Sequence, residues 1–110
     1  MWVSALIRRV EVAGSFAAVV FKGDADRGDV IVKSVAGRDQ ARGYVTARSI
    51  EGERIFEDLR CRSIESTETA IDAYVERVRR YDPDLWVIEI EDRDLRHFLT
   101  ETVNLPDQPD

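Results

Sequence analysis

The chain has 110 residues, which suits one domain and is too short for two ordinary ones. Hydrophobic residues make up 44%, so one modest core is feasible, but little apolar surface is left for a deep pocket, which weighs against a large-cofactor enzyme. A net charge of -6, with arginines scattered among acids, disfavours generic DNA or RNA binding.

Cys61 is the sole cysteine, so no intrachain disulfide can form. No apolar run approaches the roughly 18 residues of a membrane span. The first residues lack a basic region followed by an apolar stretch and do not read as a secretory signal. The cytoplasm is therefore the default location.

Taken in chain order, Val3, Leu6, Ile7 and Val10 share one helical face, and Gly14 follows as a stop. The frequent β-branched residues keep a strand open for 3–13, with helix favoured. Phe16–Phe21 is apolar on both faces and reads as a central strand. A turn-rich connection over 23–29 leads to a second strand, Val30–Val35, and so short a link predicts an antiparallel hairpin. After turns over 37–43, residues 44–50 read as a third strand and 54–59 as a short fourth.

Residues 63–69 are rich in capping hydroxyls and begin a helix, with Glu65 and Glu68 placed to complement its dipole. Ile71, Tyr74, Val75 and Val78 form its apolar stripe, and Arg77, Arg79 and Arg80 occupy its last turn. Pro83 restricts Asp82 to extended backbone and ends it. In the strand that follows, Trp86, Ile88 and Ile90 share one face, which must be core. Leu85, Val87, Glu89 and Glu91 share the other, which passes from apolar to acidic as it emerges towards water. Leu95, Phe98 and Leu99 are expected in a short closing turn, with His97 between them. Residues 102–110 read as a loose tail after a single domain over 1–101.

The chain carries few signs of chemistry. The acidic loop Asp24-Ala25-Asp26-Arg27-Gly28-Asp29 fails as a calcium loop, because Gly28 falls at position five and Val35 at position twelve. Glu89, Glu91, Asp92, Asp94 and His97 form the densest acidic cluster with a histidine. Glu89 and Glu91 point the same way, so with His97 they are the candidates for a metal-binding or general acid/base site. The plainer reading is a solvated strand end and a charged turn, with His97 as packing. Cys61 lacks a glycine-framed nucleophile motif, and no phosphate-binding or nucleotide-binding glycine loop is present. Trp86 reads as a core anchor, whereas Trp2, at the end of the chain, has no evident interior to reach. No cofactor and no metal site is expected.

Three blocks resemble a known family. Trp2-Val3-Ser4-Ala5-Leu6-Ile7-Arg8-Arg9 is the first. Gly14-Ser15-Phe16-Ala17 with Lys22-Gly23-Asp24 and Gly28 is the second. Asp82-Pro83-Asp84-Leu85-Trp86-Val87-Ile88-Glu89-Ile90-Glu91-Asp92 is the third and most specific. Together they resemble the DUF1491 family, short and mostly alphaproteobacterial proteins of unknown function. The resemblance spans nearly the whole chain, though residues 37–69 add little to it. It implies a single small domain in a bacterial cytoplasm and supplies no activity, cofactor or catalytic residue.

The expectation is an α+β fold: a mainly antiparallel sheet of four or five strands, with two helices packed on one face. The leading function is a small interaction or regulatory module, with self-association into a homo-oligomer as one form of it. Its expected partner is protein, either a second copy or another chain, with no membrane. The alternative is a small enzyme or metal-dependent binder using Glu89, Glu91 and His97. Nucleic-acid binding through Arg8, Arg9, Arg79 and Arg80 ranks last, since it needs all four on one face against the net charge.

Overall fold

Val3, Leu6 and Val10 are buried along one stripe of helix α1 (Trp2–Val12) in a computed structural model that describes residues 2–24, 28–37 and 39–106. Gly14, at φ 88, turns the chain out of the helix, a backbone region that glycine adopts without steric cost. Helix α2 (Glu68–Tyr81) is capped by Thr67, whose hydroxyl accepts from the Ala70 amide at 3.1 Å. It stops at Asp82, before Pro83, as the sequence predicts.

Six strands form one sheet: β1 (Phe16–Phe21), β2 (Val30–Val35), β3 (Ala41–Arg48), β4 (Arg54–Asp58), β5 (Trp86–Glu91) and β6 (Val103–Asn104). Their spatial order is β1-β5-β2-β3-β4-β6. The sheet is mixed. The β1–β5, β2–β3 and β3–β4 pairs are antiparallel, while β2–β5 and β4–β6 are parallel. The strand count exceeds the expected four or five because β6 joins β4 and brings the start of the anticipated tail into the sheet.

Two further expectations are corrected. First, β1 and β2 run in opposite directions but do not pair, because β5 lies between them. Trp86, Val87 and Ile88 are buried in succession, as are Val30, Ile31 and Val32. Strands apolar on both faces belong at the covered centre of a sheet, and β5 and β2 take that place together. Second, the helices cover opposite faces. Side chains alternate along β2 and β5, so each face presents its own apolar set. α1 packs on Val30, Val32, Tyr44, Phe56, Trp86, Ile88 and Ile90. α2 packs on Ile31, Ala41, Val45, Leu59, Leu85 and Val87. A single-face arrangement would leave one of these sets in water.

The connection after β1 closes over the start of β5. The Asp24 amide donates to the Asp84 carbonyl at 3.0 Å, and the Trp86 amide donates to the Asp29 carbonyl at 2.8 Å. The Trp86 indole donates to the Asp24 carbonyl at 2.8 Å. A Cβ on Gly23 or on Gly28 would lie 2.0 Å from the Asp84 oxygen, so only glycine permits the approach. Residues 25–27 of the acidic loop lie outside the described residues. The two sequence blocks around Lys22–Gly28 and Asp82–Asp92 are thus one clamp in space. Trp2 also finds an interior, stacking on Phe56 at 5.6 Å between ring centroids, while its indole donates to the Glu101 carboxylate.

Candidate functional site

The fold keeps Glu89, Glu91 and Asp92 of the predicted acidic cluster along one cleft but parts His97 from Glu89. Glu89 lies on the α2 face of β5, directly beside Lys33 on β2. Its carboxylate is 2.9 Å from the Lys33 ammonium, which also meets Asp72 at 2.8 Å and Glu68 at 3.2 Å. Lys33 is only 6% exposed. Burial alone would pull its pKa down, but the hydrogen bonds to Asp72, Glu89 and Glu68 outweigh that and hold it above the ordinary lysine value. Glu91, at the end of β5, is exposed.

Asp92 is buried, and its carboxylate accepts from the Ser15 hydroxyl at 2.6 Å and from the Arg96 guanidinium at 2.8 Å. The Arg96 hydrogen bonds, helped by Ser15, hold this carboxyl well below the usual carboxylate range despite its burial. Asp94 is exposed.

His97 sits on the other side of the sheet. Its ring meets Tyr44 edge-on at 4.9 Å, and Nδ1 accepts from the Leu99 amide at 2.8 Å. Leu95 and Phe98, at φ 57 and φ 59, bend the chain around it in place of a regular closing turn. Burial pushes the imidazole pKa down, with the Asp58 charge pulling the other way. A neutral ring is what its accepting Nδ1 requires.

Glu89 and His97 therefore face opposite sides of the sheet, and the predicted triad of Glu89, Glu91 and His97 does not converge. Among the described residues, no three His, Cys, Asp or Glu side chains gather closely enough to hold a metal ion. A broad cleft of about 620 Å³ opens beside the cluster, lined by Val35–Gly37, Glu68 and Glu89 with Glu91–Arg93. Of its four acids, Glu68 and Glu89 are engaged by Lys33 and Asp92 by Arg96, while Glu91 is exposed. Ion pairs of this kind tie α2 to the sheet and fix the chain after β5.

The remaining candidates are also separated. Arg8 and Arg9 lie on α1, and Arg79 and Arg80 on α2, so the four do not share a face. Arg9 donates to the Phe98 carbonyl at 2.9 Å, and Arg79 stacks 3.5 Å over the Phe21 ring. Cys61 is exposed near β6, its thiol 3.7 Å from the Asn104 carbonyl. Trp86 is a core residue, as its alternation with Ile88 and Ile90 predicts.

The feature missed at the sequence level is β1. Its composition reads as a central strand, yet β1 is the outermost strand beside β5. Among the described residues, no strand pairs with its outer edge. Phe16, Val19 and Val20 are consequently 56%, 40% and 45% exposed. Edge strands are commonly blunted by charge or proline, and Phe16–Phe21 contains neither. The uncharged run was visible, but a strand's composition does not say where in the sheet's order it lies.

The comparisons agree with the fold. A family model described as a protein of unknown function, DUF1491, matches residues 1–100. A crystal structure of a DUF1491 family protein from Caulobacter crescentus CB15 is 52% identical, with a TM-score of 0.83 over 94% of each chain. An NMR structure of a DUF1491 family protein from the same organism is also 52% identical, with a TM-score of 0.81 over 94% of this chain and 92% of that one. A solution structure of an A. tumefaciens protein is 38% identical, with a TM-score of 0.75 over 99% of this chain and 93% of that one. No curated protein matches the chain.

Proposed function

This chain belongs to the DUF1491 family, a family of unknown function, and on that footing we propose that it is a small cytoplasmic interaction module that docks protein along the outer edge of β1. The observation that carries this reading is an uncharged strand of central-strand composition standing at a sheet edge. An added strand would satisfy the outward backbone groups and cover Phe16, Val19 and Val20 in one step. The net charge of -6 favours protein over nucleic acid as the partner. None of the described helices is long and apolar enough to cross a membrane.

A photo-crosslinking residue placed at Val19 tests the reading in the cells that make the protein. Adducts at Val19, and none from the same residue at fully exposed Ile50 in the distant β3–β4 turn, are the expected outcome. Equal labelling from the two positions would sink the proposal.

A further inference from the structure

We infer that the strand completing this edge is β1 of a second copy, paired antiparallel about a two-fold axis through Ala18. This rests on the docking reading above and names its partner. Opposed residues of an antiparallel pair point to the same face of the sheet. A two-fold axis perpendicular to the sheet must therefore pass through a residue, not between two.

The register of β1 against β5 selects that residue. Phe16 and Ala18 lie beside Glu91 and Glu89 on the α2 face, while Ala17 and Val19 lie beside Ile90 and Ile88 on the α1 face. The bulge after Val19 makes Val20 an extra residue and returns Phe21 to the α2 face beside Val87. Centred on Ala18, the pair sets Phe16 against Phe21, Ala17 against Val19, and one small Ala18 against the other. Any other centre on this strand sets Ser15, Lys22 or a glycine against an apolar residue. The bulge, which often protects an edge, is here what makes the strand match itself.

The charges and the neighbouring helix fit the same axis. Exposed Lys22 falls opposite Ser15 of the other copy, at the mouth of a cleft of about 350 Å³ where Arg96 already pairs with Asp92 and exposed Glu91 and Asp94 stand beside Arg93. The symmetry makes this contact twice. A six-residue strand is about 20 Å long and offers a narrow contact by itself, against the roughly 1,200–2,000 Å² of a stable interface. α1 widens it. Trp2 and Arg9 face Phe56 and Phe98, towards β4. Ser4, Ile7 and Glu11 therefore lie on the opposite flank of the helix, over the β1 edge. A shallow groove runs along that flank, and the axis brings the same flank of the second α1 alongside it.

The test uses the full chain. Sedimentation velocity should show a dimer that Val19→Lys weakens at least about tenfold, with circular dichroism unchanged. In a Cys61→Ser background, Ala18→Cys should oxidise to a disulfide dimer far faster than Val12→Cys, which is 80% exposed but off the edge. A monomer at sub-millimolar concentration, or equal oxidation at the two positions, overturns the inference, and so does a dimer indifferent to Val19→Lys. If Val19→Lys fails to fold, the Ala18→Cys comparison decides alone. Val19 photo-adducts made only with a different protein overturn the second-copy inference and leave the docking reading standing; no adducts at all remove both.

Discussion

Lys33 and Glu89 are direct neighbours across the parallel β2–β5 pair, with ammonium and carboxylate 2.9 Å apart. Asp72 and Glu68 reach the same ammonium from α2, so one buried cation ties the helix to the centre of the sheet. Glu89 reads as a candidate catalytic acid when the strand is considered alone. In the fold it is one of the counter-charges that make a buried lysine tolerable.

Lys33→Met should therefore destabilise the protein by leaving three carboxylates together without their cation. The acids are 41%, 57% and 32% exposed, so the loss should be about 2–3 kcal/mol, below that for a fully buried pair. Urea unfolding reads this, and adding Glu89→Gln should recover part of it. Identical losses in the single and double variants would show that carboxylate repulsion is not the cause. Because the folded pKa of Lys33 is raised, its stabilisation is fully present below the ordinary lysine value of 10.5 and is lost only as pH rises through the folded value.

The clamp over β5 predicts unequal costs for glycine substitutions. Gly23→Ala forces a Cβ against the Asp84 carbonyl, a backbone atom that cannot yield cheaply. Gly52→Ala meets nothing within 4 Å and carries only the strain of φ 86, about 1–2 kcal/mol. Thermal unfolding should show the larger loss at Gly23, accompanied by a change in Trp86 fluorescence. Equal losses would show that the clamp relaxes freely.

His97 should make the protein acid-sensitive near neutrality. Its folded pKa lies below the ordinary 6.5, so the unfolded chain takes up the proton first. Stability contributed by the neutral ring is complete above about 6.5 and falls as pH drops towards the folded value. NMR titration should place His97 below 6.5, and His97→Gln should flatten the stability profile in that window. An ordinary or raised histidine pKa would contradict the accepting Nδ1.

Asp92 acts at lower pH. Its depressed pKa gives stabilisation that is present above the ordinary carboxylate value of 3.8 and is lost as pH falls towards the folded value. Asp92→Asn keeps the shape but removes the charge facing Arg96, at an expected cost of about 2 kcal/mol near neutral pH. That difference from wild type should shrink in acid unfolding experiments below about pH 4. A pH-independent difference would assign the effect to packing.

The sequence by itself determined the local elements. Val3, Leu6 and Val10 favour a helix for α1 while leaving a strand open, the hydroxyls of 63–69 and Pro83 bound α2, and the alternation of Trp86, Ile88 and Ile90 identifies a core-facing strand. Each signal acts within a few residues, where spacing and backbone restriction are sufficient. Only the tertiary structure decided that β5 enters between β1 and β2, that the helices cover opposite faces, and that Glu89 and His97 are parted by the sheet. Strand order depends on pairing between distant segments, and exchanging neighbours leaves each strand's own pattern unchanged. The same reason made Phe16–Phe21 read as central: its side chains record that both faces are apolar, and only the assembled sheet reveals that β1 stands at the end of the strand order.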